Sequence, residues 1–315
     1  MTVTPTTTQK RYAPPVTPTP DELFDIAPCA LCNHEGDDPL IRVDLTAGAE
    51  LTGYDLTKIY PLPGIAICNR CYHVYLQPMP KPAFLQTYHA QQLARMTDGF
   101  RRQAFDARLP VSVERRFKNW LKIMGELHPQ GRTLLDIGSG VGTFLRVARC
   151  TDYLVAGLEP HPEATRHLQE ALEIPIHCCL LRDVEGHEKY DLITAWGLLN
   201  CVANPFAALH RLRRLLKPDG LLVTDVPLAQ GFSHWAARAM WTFSCGFISK
   251  PVQSLYSIDN LHYFNGRSIQ RLLRKCGFDV RRMYTYQRRI ESQGRFFERQ
   301  RWGVLFCSPA GQGLN

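Results

Sequence analysis

Long apolar runs are missing from this sequence. The longest apolar stretch, around residues 192–203, is interrupted by Asn200 and is shorter than the roughly 20 residues that a membrane-spanning helix needs. Residues 1–20 hold seven Thr and five Pro and lack the apolar core of a secretion leader. We therefore expect no membrane-spanning helix, a disordered tail over residues 1–20 and a cytoplasmic location.

The cysteines do not suggest a disulfide framework. Their number, eleven, is odd, and no secretion leader accompanies them. We therefore expect a reducing compartment in which the thiols are metal ligands or small buried apolar groups. With 315 residues, 45% hydrophobic and 21% charged, the chain is long enough for one large core and a smaller module.

Positive charge is concentrated near the C-terminus. The net charge is +8, and between Gly266 and Arg301 eleven Lys or Arg stand against three acids. Such a segment binds nucleic acid or an acidic substrate in some proteins, but more often it is a solvated surface. We prefer the solvated surface, because no aromatic stacking platform accompanies the charges and apolar residues recur at helical spacing. These residues are Ile269, Leu272, Leu273 and Cys276, with Gly277 at the predicted helix end.

A glycine-rich loop follows a short apolar strand in the middle of the chain. Residues 134–142 read Leu-Leu-Asp-Ile-Gly-Ser-Gly-Val-Gly. Glycine has no Cβ, so the backbone can turn sharply and a cofactor can approach the next helix closely. A dinucleotide fingerprint needs its third Gly at position 143, where this chain has Thr143. After the next predicted strand, about 20 residues on, Glu159 is placed to accept hydrogen bonds from both hydroxyls of a ribose.

Four motifs in this order resemble those of class I S-adenosylmethionine-dependent methyltransferases. They are the loop with its preceding Asp136, the acidic Glu159, a pair of further strands at 174–179 and 190–195 with Asp183 between them, and residues 215–225, which resemble the family's L-K-P-G-G block. The resemblance covers about residues 110–305. It implies an α/β fold with a Rossmann-like, seven-stranded, mostly parallel sheet and helices on both faces. It also implies that S-adenosyl-L-methionine is bound by Asp136, Gly138, Gly140, Gly142, Glu159, Asp183 and Trp196.

Two Cys-x-x-Cys pairs, Cys29/Cys32 and Cys68/Cys71, precede this region and are separated by 35 residues. Each pair allows a tight turn to point two thiolates at one ion, and two such turns complete the tetrahedral set of a structural zinc. Because protein atoms would fill all four positions, we predict a structural rather than a catalytic zinc. A redox-active pair is the alternative, but the thioredoxin-like pattern that it needs is absent.

The flank of the second pair resembles the zinc-ribbon module found ahead of many bacterial methyltransferases related to sugar C-methyltransferases. In that family the pair is usually followed by G-x-V-Y and then P-x-P; here Tyr72 replaces the Gly, and residues 78–80 match the P-x-P. We expect His73 at the surface. We divide the chain into a tail (1–20), a zinc ribbon (21–82), a helical linker (83–130) and a methyltransferase domain (131–310).

The acceptor side is predicted between residues 225 and 265. Tyr256 to Asn265 resembles a family block reading E-H-L-x-Y-F-S, whose His is the base in sugar C-methyltransferases. This chain has Asp259-Asn260 in place of Glu-His, and after the fourth strand it has Asn200-Cys201 where many members have Glu-His. The remaining catalytic candidates are His262, Tyr263 and Tyr256. Before Tyr256, apolar residues at helical spacing form either the cover of a pocket or an ordinary packed helix. They are Phe232, Trp235, Ala239, Met240 and Phe243.

The leading interpretation is a small-molecule methyltransferase that acts on a sugar nucleotide, a glycan precursor or a secondary metabolite. One alternative is an RNA methyltransferase that grips nucleic acid with the zinc ribbon and the basic C-terminal segment. The other is a non-catalytic adaptor that keeps the fold. The sequence does not determine the oligomeric state.

Overall fold

The structure is a computed structural model. It describes residues 23–42, 64–89, 91, 109–184, 186–230, 232–244, 247, 255–256, 260–289 and 299–310. The tail predicted for residues 1–20 lies outside these ranges, as does Asp259. Over the described part of the chain, no helix is both long and apolar enough to cross a membrane.

The N-terminal part is a small antiparallel module that contains both cysteine pairs. Strands β2, β3 and β4 form consecutive antiparallel neighbours, and β1 pairs with β5. A helix, α1, follows over residues 82–89. The strands are β1 (Phe24–Asp25), β2 (Asp37–Arg42), β3 (Gly64–Cys68), β4 (Val74–Gln77) and β5 (Met79–Pro80).

The rest of the chain is built on a seven-stranded sheet in the order β12-β13-β10-β9-β6-β7-β8. Strand β13 runs antiparallel to both of its neighbours, and the pairings among β10, β9, β6, β7 and β8 are all parallel. The predicted seven-stranded, mostly parallel sheet is therefore confirmed. The strands are β6 (Thr133–Ile137), β7 (Leu154–Leu158), β8 (Ile176–His177), β9 (Tyr190–Trp196), β10 (Leu216–Pro227), β12 (Phe278–Arg289) and β13 (Arg299–Pro309).

Helices cover both faces of this sheet, as predicted. One core, on one face of the sheet, contains Phe117 of α2, Leu145 of α3 and Leu168 of α4. A second core, on the other face, contains Leu209 of α5 and Leu272 of α7. Burying such a side chain contributes about 1.5–3 kcal/mol each, so the two cores hold the strand ends in place. The helices are α2 (Val111–Leu127), α3 (Leu145–Ala148), α4 (Pro162–Leu172), α5 (Pro205–Leu215), α6 (Phe232–Phe243) and α7 (Gly266–Lys275).

Helix α7 shows how the sequence pattern determines burial. Its apolar residues Ile269, Leu272 and Leu273 are buried, whereas its arginines face solvent. The Asn265 side chain accepts hydrogen bonds at the N-terminus, and Gly277 follows the C-terminus with a φ of 76°, a value that favours glycine. The helix predicted for this part of the basic segment, with its buried apolar face, is thus confirmed.

The cysteine module is joined to the large sheet domain by backbone hydrogen bonds. Strand β11 (His262–Tyr263), which follows β10 by some distance in the chain, pairs antiparallel with β4. Leu76 N donates to Leu261 O at 2.8 Å, and Lys275 Nζ donates to Leu31 O at 2.7 Å. The module therefore shares a sheet with the segment predicted to face the methyl acceptor.

Residues 83–89, 91 and 109–130 of the predicted linker lie within the described part of the chain. Helix α2 packs against the large sheet through Phe117, Leu121 and Met124, all of which are buried in the same core as β6 and β9. This helix is thus part of the large domain, and it lies beside the carboxyl ends of the central strands.

Candidate cofactor and metal sites

Three glycines shape the loop after β6. Gly138, Gly140 and Gly142 have φ values of 70°, 54° and 72°, which L side chains rarely adopt. A Cβ at Gly138 or Gly140 would have no neighbour closer than 3.9 Å, so both residues border open space. A Cβ at Gly142 would collide with Leu168 of α4. The first two glycines therefore border the predicted cofactor space, whereas Gly142 allows close packing of a helix.

Glu159 lies directly after β7 and faces the same loop. Its Oε2 accepts a hydrogen bond from Gly140 N at 2.7 Å, and its Oε1 accepts one from His161 N at 3.0 Å. Burial raises the pKa of this carboxyl group, although the two backbone N–H groups oppose the shift. Each carboxylate oxygen has a second lone pair, so Glu159 can still accept hydrogen bonds from two hydroxyls of a ligand.

Asp136, at the carboxyl end of β6, is enclosed by the protein. It is 2% exposed, and its Oδ1 accepts a hydrogen bond from Thr194 Oγ1 at 2.6 Å. Burial raises its pKa to about 7, and the nearby carboxyl groups of Glu159 and Asp225 add to the shift. Three acidic side chains thus meet at the carboxyl edge of the sheet, an arrangement that favours a cationic ligand.

This cluster predicts a pH dependence of ligand binding. A cationic ligand such as S-adenosylmethionine stabilises the ionised form of Asp136, so binding lowers the pKa of that group and releases a proton. With a free-state pKa of about 7, we expect the affinity to rise about 10-fold between about pH 6 and pH 8. Titration calorimetry at several pH values tests this, and Asp136→Asn should flatten the profile. A pH-independent affinity in the unsubstituted protein contradicts this prediction.

The other two predicted cofactor residues follow or end strands β8 and β9, which are separated in the sheet by β6 and β7. Asp183 ends a short 3₁₀ helix after β8 and is solvent-exposed beside Arg182. Trp196 ends β9 and packs on Phe117 and Phe144 with ring-centroid distances of 5.3 Å. Its Nε1 is buried and has no hydrogen-bond partner among the described residues. A buried donor without a partner at this position fits a ligand acceptor atom.

Asp225, which the sequence motifs did not identify as a site residue, lies beside the carboxyl edge of the sheet. Asp225, in β10, is buried and accepts hydrogen bonds from Gly197 N at 2.6 Å and from Tyr286 Oη at 3.0 Å. Gly197 has a φ of 64°, and a Cβ there would meet no atom within 4 Å. Asp225 and Tyr286 thus border the open space at the end of β9. No sequence signal joins them, because they lie 61 residues apart.

The two departures from the family pattern contact one another. Asn200 Nδ2 donates to Asn260 Oδ1 at 2.6 Å, and Asn200 O accepts hydrogen bonds from Leu261 N and His262 N. Two amides therefore form a structural link at positions where the family commonly carries acid–base groups. This link anchors the segment that leads into β11.

His262, predicted as a catalytic base, lies inside the junction between the module and the sheet domain. It has no exposed surface; its Nδ1 is 3.2 Å from His73 Nε2, and its Nε2 is 3.3 Å from Ala203 O. Burial lowers the pKa of His262 to about 4. A side chain with both nitrogens engaged and no open face does not fit a base that must reach an acceptor. His73, expected at the surface, is instead 1% exposed, because it packs between Tyr75 and Phe264.

The two tyrosine candidates are also buried. Tyr256 Oη lies 3.2 Å from Nδ1 of His234 in α6, and the ring of Tyr256 meets Tyr263 at a centroid distance of 4.9 Å. On the other side of α6, Trp235 and Phe243 line an apolar groove of about 390 Å³ and are 66% and 89% exposed. The described part of α6 is therefore not an ordinary fully packed helix.

The two cysteine pairs lie on matching turns. Asn33 N donates to Cys29 O, and Tyr72 N donates to Cys68 O, at 2.8 and 2.9 Å. The residue after each pair, Asn33 or Tyr72, has a φ of 57° or 58°. Tyr72 thus adopts the left-handed conformation that the family usually assigns to Gly, and its side chain is exposed.

All four predicted metal ligands are brought together. Their Sγ atoms lie within 4.8 Å of one another, with 3.5 Å between Cys29 and Cys71 and between Cys32 and Cys68. A tetrahedral zinc with bonds of about 2.3 Å implies sulfur–sulfur distances of about 3.8 Å, so the set fits this ion. Burial raises the pKa of Cys71 to about 11. Burial also acts to raise the pKa of Cys68, but hydrogen bonds, including those from the backbone N–H groups of Cys71 and Arg70, outweigh it, so the pKa of Cys68 is lowered.

The profile of the family described as "Methyltransferase domain" matches residues 105–282, more than half of the chain. The chain belongs to this methyltransferase family. The match runs from just before α2 into β12 and includes the glycine loop, Glu159 and Asp225. The enzyme class predicted from the motifs is thereby confirmed.

Curated relatives of this methyltransferase differ in their acceptors. It is 36% identical over 135 residues to the tRNA U34 carboxymethyltransferase of Syntrophotalea carbinolica, covering 39% of this chain and 41% of the relative. It is 30% identical over 100 residues to the ubiquinone biosynthesis O-methyltransferase of Nitrobacter winogradskyi, covering 30% and 38%. The methyltransferase thus spans about two fifths of the length of these relatives.

A solved structure shares the fold. The 1,6-didemethyltoxoflavin-N1-methyltransferase of Burkholderia thailandensis, solved with 1,6-didemethyltoxoflavin and S-adenosylhomocysteine, superposes with a TM-score of 0.51 at 14% identity. The match covers 79% of this chain and 99% of that protein. At this identity the similarity establishes the architecture alone.

Proposed function

We propose that this methyltransferase acts on a small molecule, a sugar nucleotide, glycan precursor or secondary metabolite. The observation that carries the proposal is the compact acceptor side. Among the described residues after β10, a buried cluster is formed by His234, Tyr256 and Tyr263. A small reacting group suits this enclosure better than a large surface does.

The chain's residues hold and orient the reactants. S-Adenosylmethionine supplies an activated methyl group when bound. Glu159 accepts hydrogen bonds from ribose hydroxyls, and the loop at Gly138 and Gly140 leaves room for the ligand. Trp196 and Phe117 exclude water from the end of β9. Asp225 fixes both Gly197 N and Tyr286 Oη, so it positions the backbone and the phenol that border the acceptor side.

We also propose that the four cysteines bind one structural zinc. Because four thiolates complete the tetrahedron, no position remains for a water or a substrate, and the ion stabilises the module instead. Among the described residues no cysteine is part of a disulfide, so all four thiols are available to the ion. The zinc-ribbon interpretation of this module rests on the cysteine geometry and the matching turns.

An RNA acceptor is the second candidate. It is favoured by the name of the Syntrophotalea carbinolica relative, a tRNA U34 carboxymethyltransferase, and by basic side chains on α2 and β12. A non-catalytic adaptor is a third possibility, and it requires that cofactor binding be lost.

The experiment uses S-adenosylmethionine carrying a labelled methyl group. The purified protein is incubated with the low-mass and the RNA fractions of a cell extract, and Glu159→Ala serves as the control without cofactor binding. We expect label in a low-mass, nuclease-resistant product. Label that appears only in nuclease-sensitive material contradicts the small-molecule proposal and supports RNA. Absence of both methyl transfer and S-adenosylhomocysteine binding supports the adaptor.

A further inference from the structure

A basic groove runs along helix α2 beside the edge strand β12. Helix and strand are held together by Trp120, whose ring lies 5.6 Å from Tyr284 and 6.3 Å from Tyr286, and by an ion pair of 3.2 Å between Arg282 and Glu126. The groove has a volume of about 450 Å³. Its lining comes from α2 alone and includes Arg115, Arg116, Asn119, Trp120 and Lys122, together with Glu126, which pairs with Arg282 of β12; we call it the α2–β12 groove.

Three cations of this groove are not paired with any carboxylate that the structure describes. Over the described part of the chain, no carboxylate lies within 4.0 Å of Arg115, Arg116 or Lys122, whereas Lys118 on the same helix pairs with Glu114 at 2.6 Å. Helix α2 and strand β12 together carry eight Lys or Arg against three acids. Several unpaired cations around one cavity favour an anion with more than one charge.

Arg116 is held in a defined position. Its Cζ lies 5.3 Å from the ring centroid of Phe117 and 5.2 Å from that of Tyr286. Stacking on two rings leaves the edge donors of the guanidinium available, and that planar fork matches a phosphate. An aromatic surface beside the basic C-terminal segment was not apparent from the sequence, because Trp120 lies far from that segment in the chain.

The groove is connected to the acceptor side of the methyltransferase site. Tyr286, beneath Arg116, donates to Asp225 at 3.0 Å, and Asp225 accepts from Gly197 N at the end of β9. Phe117, the other ring under Arg116, contacts Trp196. The two rings beneath Arg116 therefore join the groove to the residues at the end of β9.

We propose that the α2–β12 groove binds the phosphate groups of the methyl acceptor, with Trp120 offering a flat surface to an attached base. This inference rests on the proposed function and narrows its substrate class to phosphate-bearing acceptors. The volume falls within the roughly 300–1,000 Å³ typical of ligand pockets. A nucleoside diphosphate and the backbone of single-stranded RNA share this chemistry.

The test compares two double variants of equal charge change on two exposed helices. Arg115→Glu/Lys122→Glu alters the groove, and Arg271→Glu/Arg274→Glu alters α7 as the matched control. Each protein is titrated with uridine diphosphate and, separately, with a 12-nucleotide oligouridylate at low salt; circular dichroism checks folding. We expect the groove variant to lose at least about 10-fold in affinity for one probe and the control to change less than about 3-fold.

The pattern across probes identifies the source of the phosphate. Binding of uridine diphosphate that depends on the groove supports a nucleotide-linked acceptor. Groove-dependent binding of the oligonucleotide alone, with about 0.7 decades of affinity lost per decade of salt for each phosphate contacted, supports RNA. Absence of binding by both probes, or equal weakening in both double variants, overturns the proposal. A parallel titration of the unsubstituted protein with S-adenosylhomocysteine tests the cofactor site independently, so the two failures are distinguishable.

Discussion

Cys68→Ser should abolish zinc binding and unfold the N-terminal module. Three thiolates cannot complete the tetrahedral set, and a structural zinc contributes about 10–16 kcal/mol of apparent binding free energy in zinc-finger peptides. The short strands β2, β3 and β4 bury too little apolar surface to replace a contribution of that size. Metal analysis of the purified protein should find about one zinc per chain, and the variant should contain almost none.

Cys68→Ser should also destabilise the sheet domain, but only where strand β11 pairs with strand β4 of the module. Because β11 pairs with β4, and Leu76 N bonds Leu261 O, the amides of residues 74–77 and 261–263 should exchange hydrogen faster in Cys68→Ser. The central strands β6 and β9 should keep their protection. Cys150→Ser, at an exposed cysteine, is the control and should change neither zinc content nor exchange. Full zinc occupancy in Cys68→Ser contradicts the assignment of the metal site.

Glu159→Ala should weaken binding of S-adenosylhomocysteine by about 100-fold or more. Hydrogen bonds to a charged group contribute about 1.5–3 kcal/mol each, and the substitution removes two ribose contacts. It also removes the acceptor for Gly140 N, which loosens the glycine loop. Titration calorimetry measures the effect directly.

The control for this variant is Glu170→Ala. Glu170 is an exposed carboxylate on α4, the helix that follows Glu159. Its removal tests whether the loss of any acid from this region is sufficient to weaken binding of S-adenosylhomocysteine. Its affinity should equal that of the unsubstituted protein. An affinity for Glu159→Ala within about threefold of that value means that Glu159 does not hold the ribose.

The sheet and its cofactor edge were predictable from the sequence because their signals are local. Apolar strands that end in Asp136, Glu159 and Trp196 alternate with helical segments, and parallel strands place those ends at one edge. The cysteine pairs were predictable for the same reason, since two residues between thiols determine a turn. Strand β8 is shorter than the predicted residues 174–179 and retains only Ile176–His177.

The acceptor side was not predictable, because it depends on contacts between distant segments. His262 resembled a catalytic base in the sequence, yet pairing of β11 with β4 buries it against His73, 189 residues away. Asn200 and Asn260 were recognised separately as departures from the family, but their hydrogen bond spans 60 residues. Trp120 was assigned to a linker, although tertiary packing places it beside the basic strand β12.

The most direct test of the cofactor assignment is a calorimetric titration of the full chain with S-adenosylhomocysteine and, separately, with NAD. We expect one S-adenosylhomocysteine to bind per chain and NAD not to bind. The dissociation constant should be of roughly micromolar order, which corresponds to a binding free energy of about −8 kcal/mol. Absence of S-adenosylhomocysteine binding, or preferential binding of NAD, contradicts the assignment of the glycine loop and Glu159 to a methyl donor.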